Sequence, residues 1–289
     1  MLPSRRSRIG IEGGPNRLSR SIAERREAGK THLDLTVSNP TSAGIPYDRD
    51  GIRAALGSEA ALLYEPSPFG LESAREAVAG LWRERGIRTE PGRVALTSST
   101  SEAYAFLFKL LCDPGDSVLV PCPSYPLFEH LARYEGVEAV TYPLSYDGSW
   151  HLDIGALRRA VTHRTRAIVV VSPNNPTGSF LKQGELQALG ELGLPIVSDE
   201  VFGEYGFQED PRRAPSALGL GRDESPDGPL VFALDGLSKL AALPQMKLAW
   251  ITASGPRAKI DRAFESLELI LDTFLSPNVP VQHALPGLL

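Results

Sequence analysis

Sulfur is scarce in this chain of 289 residues, with two cysteines and two methionines. Cys112 and Cys122 form neither a CxxC pair nor a zinc-ligand spacing. They read as inert thiols in a reducing compartment, the cytoplasm, rather than as a disulfide framework. The five histidines are scattered without an HxxxH or HxxEH grouping, so no metal site is expected. No apolar run approaches the ~20 residues of a membrane-spanning helix. The net charge of −5 leaves no basic footprint for nucleic acid. There is no Walker pattern and no GxGxxG. The opening "MLPSRRSRIG" is basic but lacks the apolar core of a secretory signal, and Glu12, Glu24 and Glu27 follow soon after. It reads as an N-terminal arm.

What is abundant is β-branched, apolar sequence in short runs. These are "RVALT" (93–97), "SVLVP" (117–121), "EAVTY" (138–142), "AIVVVS" (167–172), "LPIVSD" (194–199), "LVFALD" (230–235) and "KLAWITA" (247–253). They do not alternate cleanly, which is the pattern of strands buried on both faces. Helical patterns lie between several of them, at 101–112, 125–136, 153–163 and 182–192, with an earlier one at 70–86 and a later one at 262–274. In the earlier helix, Leu71, Ala74, Ala77, Val78 and Leu81 are expected to share the buried face. Strands alternating with helices argue for an α/β fold around a mainly parallel sheet of about seven strands. Residues 208–229, rich in Pro, Gly and charge, read as one long loop. In open sheets of this class, ligands bind beyond the carboxyl ends of the strands.

Four segments at such ends carry chemistry-bearing residues. In "LTSSTSEA", Ser99 and Glu102 fit a capping box, and the helix start they mark offers free N–H groups with the hydroxyls of Ser99, Thr100 and Ser101. That segment serves equally as a well-capped helix or as a phosphate cradle. In "SPNNPTG", Asn-Pro-Thr-Gly is good turn chemistry, and Asn175 can also donate to a ligand oxygen. In "SDEVF", Asp199 and Glu200 abut a buried strand, and a carboxylate there must be paired or solvated. A helix cap, an internal salt bridge or a protonated ring nitrogen would each satisfy it. Lys239 in "GLSK" lies in an apolar stretch. Either its head reaches water, or desolvation disfavours its charged form and leaves an amine able to attack a carbonyl.

In this order and spacing, 24 residues from Asn175 to Asp199 and 40 from there to Lys239, the segments resemble the fold-type I pyridoxal 5'-phosphate enzymes, class I/II aminotransferases. "PSYPLF" and "GLSKLAALPQMK" complete the resemblance, which covers about residues 30–289. It implies an aminotransferase exchanging an amino group between an amino acid and a 2-oxo acid by a ping-pong route through a Lys239 aldimine. The same scaffold also hosts lyases and synthases, and a shortened, non-catalytic cofactor-binding protein is a further alternative. The implied roles follow residue by residue. Lys239 holds the cofactor, Asp199 keeps its ring nitrogen protonated, Asn175 donates to the phenolic oxygen, and Tyr125 stacks on the ring. Ser99, Thr100, Ser101, Ser238 and Lys247 surround the phosphate. Tyr64, in "YEPSPFG", reaches the phosphate of a neighbouring subunit, implying a homodimer. Asn39, in "VSNP", lines the substrate entrance with Asn175.

Four departures stand out. Ser99 replaces a usual glycine, so the turn must tolerate a Cβ. Phe202 occupies the cofactor-contacting position of a usual tyrosine, and Lys247 that of a usual arginine, which would clamp a phosphate with a planar fork. Family members also continue beyond the equivalent of Leu289 into a small domain bearing an arginine for the substrate carboxylate. The expected division is an arm and entrance segment over 1–45, a large cofactor-binding domain over 46–275, and the start of a shortened C-terminal region over 276–289, with the small domain largely absent.

Overall fold

The protein is described from a computed structural model, covering residues 4–7, 17–31, 33, 38–221, 226–275 and 277–289. The chain forms two compact units, Met1–Tyr47 and Asp48–Leu289. In the first, α1 (Arg17–Glu27) buries no residue, and Asn39 caps a 3-10 turn at Pro40–Ser42.

The second unit holds all the strands among the described residues. Its elements run α2 (Arg49–Leu56), α3 (Glu72–Glu84), β1 (Val94–Thr97), α4 (Thr100–Leu111), β2 (Ser117–Cys122), α5 (Phe128–Tyr134), β3 (Glu138–Tyr146) and β4 (Trp150–Leu152). They continue with α6 (Ile154–Ala160), β5 (Thr165–Val171), α7 (Gln183–Gly190), β6 (Ile196–Asp199), β7 (Val231–Gly236), α8 (Leu237–Leu240), β8 (Ala249–Ser254), α9 (Arg257–Phe274) and α10 (Val279–Leu288). The sheet has eight strands in the order β1-β8-β7-β6-β5-β2-β3-β4. β3, β2, β5, β6 and β7 are parallel to their neighbours in that run, and β8 is antiparallel to both β1 and β7. All seven anticipated strands form. The eighth, β4, pairs antiparallel with the end of β3 over three residues, too short to carry a periodic signal.

β1, β6, β7 and β8 are buried along their whole length, as unbroken apolar runs require, whereas β3 near the edge is mostly half-exposed. On one face, Val197, Leu234, Ile251 and Ala253 of the sheet pack with Ala103, Leu107 and Phe108 of α4 and Ile260, Leu267 and Leu271 of α9. Burying each large side chain there contributes about 2 kcal/mol. Because side chains alternate along a strand, Asp235 and Thr252 point to the opposite face. There α3 meets them: Trp82 Nε1 donates to Thr252 Oγ1 at 2.9 Å. The buried residues of α3 are Ala74, Val78, Ala79 and Trp82, so its buried stripe is rotated from the expected one. Ala77 and Leu81 are only half-buried. The aromatic anchor at Trp82 sets that rotation, because its large side chain and its indole N–H must both be satisfied inside.

Residues 208–229 are not one continuous loop. Ala217–Leu220 form a 3-10 turn with Ala217 and Leu218 buried, while 222–225 lie outside the described residues.

Candidate active site

β6 and β7 end side by side, with Asp199 registered against Leu234, so the residues following both strands emerge together. Asp199 shares the α4 face with Val197, two positions earlier. Its carboxylate is buried and accepts from the Tyr104 hydroxyl at 3.1 Å and from Val201 N at 3.3 Å. Burial lifts its pKa to about 6, against the opposing pull of those two hydrogen bonds and of the Lys239 charge. Tyr104 sits on the buried face of α4, and its own pKa is driven well up, first by burial and then by Asp199.

Lys239 lies on the four-residue helix α8, half-buried, with Nζ 5.8 Å from the centre of the Phe202 ring. Tyr205 packs edge-on against Phe202 at 5.5 Å, and its hydroxyl donates to the Lys239 carbonyl at 3.0 Å. The turn entering α8 is pinned to β8. Leu237 N donates to Leu248 O at 3.0 Å, and a Cβ on Gly236 would lie 2.8 Å from Ala249 Cβ and 2.9 Å from Leu248 O. Only glycine permits that approach.

The start of α4 forms a second wall. Ser99 is the N-cap, with extended backbone (φ −165°, ψ 160°), so its Cβ is accommodated without strain. Its Oγ accepts from Glu102 N at 3.1 Å, as the capping pattern predicts. The reciprocal bond is displaced by one residue: Glu102 Oε2 accepts from Ser98 N at 2.6 Å. The amides of Thr100 and Ser101 are in the first turn, where no intrahelical acceptor is available. Ser101 hydrogen-bonds Tyr125, whose pKa is raised chiefly by burial, with Asp199 adding to the shift. Tyr125 packs edge-on to Phe128 at 5.7 Å.

After β5 the turn is built around Asn174. Its Oδ1 accepts from the Ser124 hydroxyl at 2.6 Å, and its Nδ2 donates to Pro123 O and Thr177 Oγ1. Gly178 adopts φ 67°, a region open to glycine, and its N–H donates to Asn174 O at 2.7 Å. Asn175 is exposed, and Ser172 N ties the turn to Asp199 O at 2.9 Å. Lys247 is exposed and left-handed (φ 54°, ψ 54°), and its ammonium has no ion-pair partner among the described residues. Ser238 is half-buried on α8.

Asp199, Lys239, Phe202, Tyr125 and Ser101 are thus linked by hydrogen bonds, ring contacts or electrostatics, with Ser99 and Thr100 adjoining Ser101 at the start of α4. Tyr64 is 79% exposed and is not drawn into that cluster. Asn39 belongs to the first unit, where its Oδ1 accepts from Thr41 N at 3.0 Å; Val37 of the same motif lies outside the described residues. Tyr104 and Tyr205 escape a sequence reading, because a tyrosine in an amphipathic helix or a loop carries no sign of its distant partner. Asp235 does carry one: it is an acid at the end of a buried strand, as Asp199 is.

The sheet thus presents a lysine just after the end of β7 and a buried carboxylate at the end of the neighbouring β6. The chain belongs to the aminotransferase class I and II family, whose model matches residues 34–288. It is 29% identical over 264 residues to the glutamate-pyruvate aminotransferase AlaA of Haemophilus influenzae, covering 90% of this chain and 64% of that protein. It is 30% identical over 269 residues to human tyrosine aminotransferase, covering 90% of this chain and 58% of the relative. An alanine aminotransferase structure from Pyrococcus furiosus superposes with a TM-score of 0.83 at 27% identity, over 99% of this chain and 72% of the other. The chain therefore spans somewhat under two thirds of the length of these curated relatives.

Proposed function

We propose that this chain is the cofactor-binding part of a pyridoxal 5'-phosphate-dependent aminotransferase, with residues 46–275 as its large domain. The observation that carries this is Asp199: a buried carboxylate with a polarised hydroxyl behind it, in electrostatic reach of Lys239. Such a group needs a cation in front of it, and a protonated pyridine nitrogen is one. The remaining donors fit the same molecule. Lys239 Nζ offers an amine for its aldehyde, Tyr125 a ring for its face, and Asn175 an amide for its phenolic oxygen. The Thr100 and Ser101 amides, with the hydroxyls of Ser99 and Ser238 and the charge of Lys247, supply donors for its phosphate.

When bound, pyridoxal 5'-phosphate supplies an electron sink for the bonds of an amino acid's α-carbon. The chain's own residues do the rest. Asp199 fixes the protonation of the ring nitrogen, and Tyr104 holds Asp199 in place. Lys239 Nζ takes and returns the α-proton as general base and acid. The Phe202 ring bounds the space below Nζ. Amino acids and 2-oxo acids are the substrates, in line with the glutamate-pyruvate and tyrosine aminotransferases that the chain resembles. The exposed run Leu62, Leu63 and Tyr64 supports a homodimer in which Tyr64 contacts the neighbouring copy's phosphate. Two free cysteines, Cys112 and Cys122, support a reducing, cytoplasmic setting.

The test is an absorption spectrum of the protein with pyridoxal 5'-phosphate, followed by a panel of amino acids. A visible band that disappears with one amino acid, with the matching 2-oxo acid formed in equal amount, is the expected result. Absence of the band in wild type, or its persistence in Lys239→Ala, overturns the cofactor assignment. Loss of the band with ammonia released in place of transfer assigns a lyase instead.

A further inference from the structure

The face of the sheet opposite α4 carries a second acidic strand end. Asp235 is the penultimate residue of β7, directly before Gly236 and the Leu237–Leu240 helix, and is only 1% exposed. One carboxylate oxygen accepts from Gly236 N at 2.7 Å, and the other accepts from Arg85 Nη1 at 2.9 Å. Arg85 is the C-cap of α3, where its guanidinium stacks over Trp82 at 5.0 Å. Its Nε also lies 2.9 Å from Glu204 Oε1, an ion contact without hydrogen-bond alignment. By register, Glu200 follows Asp199 just as Asp235 follows Leu234, so two buried carboxylates lie side by side with one guanidinium close by. Arg85, Trp82, Glu200 and Glu204 also line a cavity of about 500 Å³.

We infer that the Arg85–Asp235 pair is a positioning device for Lys239, acting through the backbone of Gly236. Asp235 is the only side chain within hydrogen-bond reach of that amide among the described residues, and the amide lies three residues before the lysine. β8 fixes the turn from one side through Leu248 and Ala249. Asp235 fixes it from the other, and Arg85 fixes Asp235. A carboxylate serves both partners because each of its oxygens accepts. An amide cannot, since one of its two ends is a donor and would face Gly236 N–H or the guanidinium. Removing Arg85 leaves the Asp235 carboxylate buried without its cation, and removing Asp235 leaves the half-buried Arg85 with Glu204 alone. Neither residue reaches the α4 face, so the effect on Lys239 is indirect.

The inference rests on Lys239 being the attachment point for pyridoxal 5'-phosphate, and the experiment separates the two. Wild type and the variants Asp235→Asn, Arg85→Met, Arg85→Lys and the double variant Asp235→Asn/Arg85→Met are mixed with pyridoxal 5'-phosphate. The rate of covalent attachment at Lys239 is read by borohydride trapping and peptide mass. Hydrogen exchange over 235–248 and the thermal midpoint are measured on the same proteins without the cofactor. Arg158→Gln, which breaks an exposed ion pair with Glu191, is the control. Asp235→Asn and Arg85→Met are expected to slow attachment roughly ten-fold, as misplacement of a nucleophile does. They should also raise exchange at 235–240 ahead of the strands. The double variant should be no worse than either single one, because the pair acts as a unit. Arg85→Lys, which keeps a charge within reach of Asp235, should restore most of the rate. Wild-type attachment rates in folded Asp235→Asn and Arg85→Met overturn the inference, as does a loss that Arg85→Lys fails to reverse. If one of the two pair-breaking variants fails to fold, the comparison passes to the other beside Arg85→Lys: slowing and raised exchange that Arg85→Lys does not share support the inference, and wild-type values in the pair-breaking variant, or equal slowing in both, overturn it. Absence of wild-type attachment at Lys239 overturns the cofactor assignment itself.

Discussion

Lys239 and Lys247 lie eight residues apart, yet their surroundings differ in kind. Lys239 is half-buried among several contacts: Phe202 beneath its amine, Tyr205 on its carbonyl, Asp199 within electrostatic reach, and a turn pinned by Asp235 and β8. Lys247 is exposed, and its backbone sits in a left-handed conformation that costs a non-glycine residue about 1 kcal/mol. The end of the site that would do chemistry is organised before any ligand arrives. The end that would hold a phosphate includes an exposed lysine on a left-handed residue. Preorganisation is the source of rate, whereas a phosphate brings enough charge to recruit loosely held partners.

The largest test of this contrast is Asp199→Asn. The amide retains an acceptor for Tyr104 but carries no charge, so attachment and turnover should fall by about 100-fold or more, measured by spectral titration and half-reaction kinetics. The same variant has a sign in stability. Because the folded carboxyl keeps its proton up to about pH 6, while an unfolded one releases it at the ordinary carboxylate value, stability falls as pH rises from about 4 through about 6. Thermal melts across that range should show a flatter profile in Asp199→Asn. A profile as steep as wild type would place the burial cost elsewhere.

An intermediate effect is expected at the phosphate end. Lys247→Ala should weaken pyridoxal 5'-phosphate binding about ten-fold and leave pyridoxal, which lacks the phosphate, unaffected. Equal losses for both ligands would remove Lys247 from the phosphate. Lys247→Gly should lose the same affinity while raising the thermal midpoint, since glycine relieves the left-handed strain. That combination would show a residue kept for its charge against its backbone cost.

The smallest effect concerns Phe202. A tyrosine there would add a hydroxyl near the cofactor's phenolic oxygen, so Phe202→Tyr should lower the pH midpoint of the loaded protein's visible band by up to about one unit. An unchanged or higher midpoint would mean that the added hydroxyl does not reach that oxygen.

Much of the fold was legible because its strands announce themselves. Runs such as 167–171 and 230–234 are apolar throughout, and short β-branched or aromatic runs of that kind are the pattern of strands buried on both faces. The helices that escaped notice share a different cause. α10 contains Pro286 and has Pro280 in its first turn, which reads as broken sequence; yet Asn278 caps it and Val281, Gln282, Ala284 and Leu285 are buried. α2 has eight residues and buries none of them. Short helices draw their stability from what they pack against rather than from their own pattern.

At the site, the sequence by itself determined which residue types stand at the strand ends: acids in the last residues of β6 and β7, a lysine just after β7, hydroxyls at the start of α4. Local pattern reaches that far because strand ends, caps and turns are encoded within a few residues. Only the tertiary structure decided that Tyr104, 95 positions before Asp199, is its partner, and that Arg85 reaches Asp235 across 150 positions. Those contacts depend on sheet order and on the rotation of helices against the sheet. Both are set by the packing of the whole unit, which no short stretch of sequence contains.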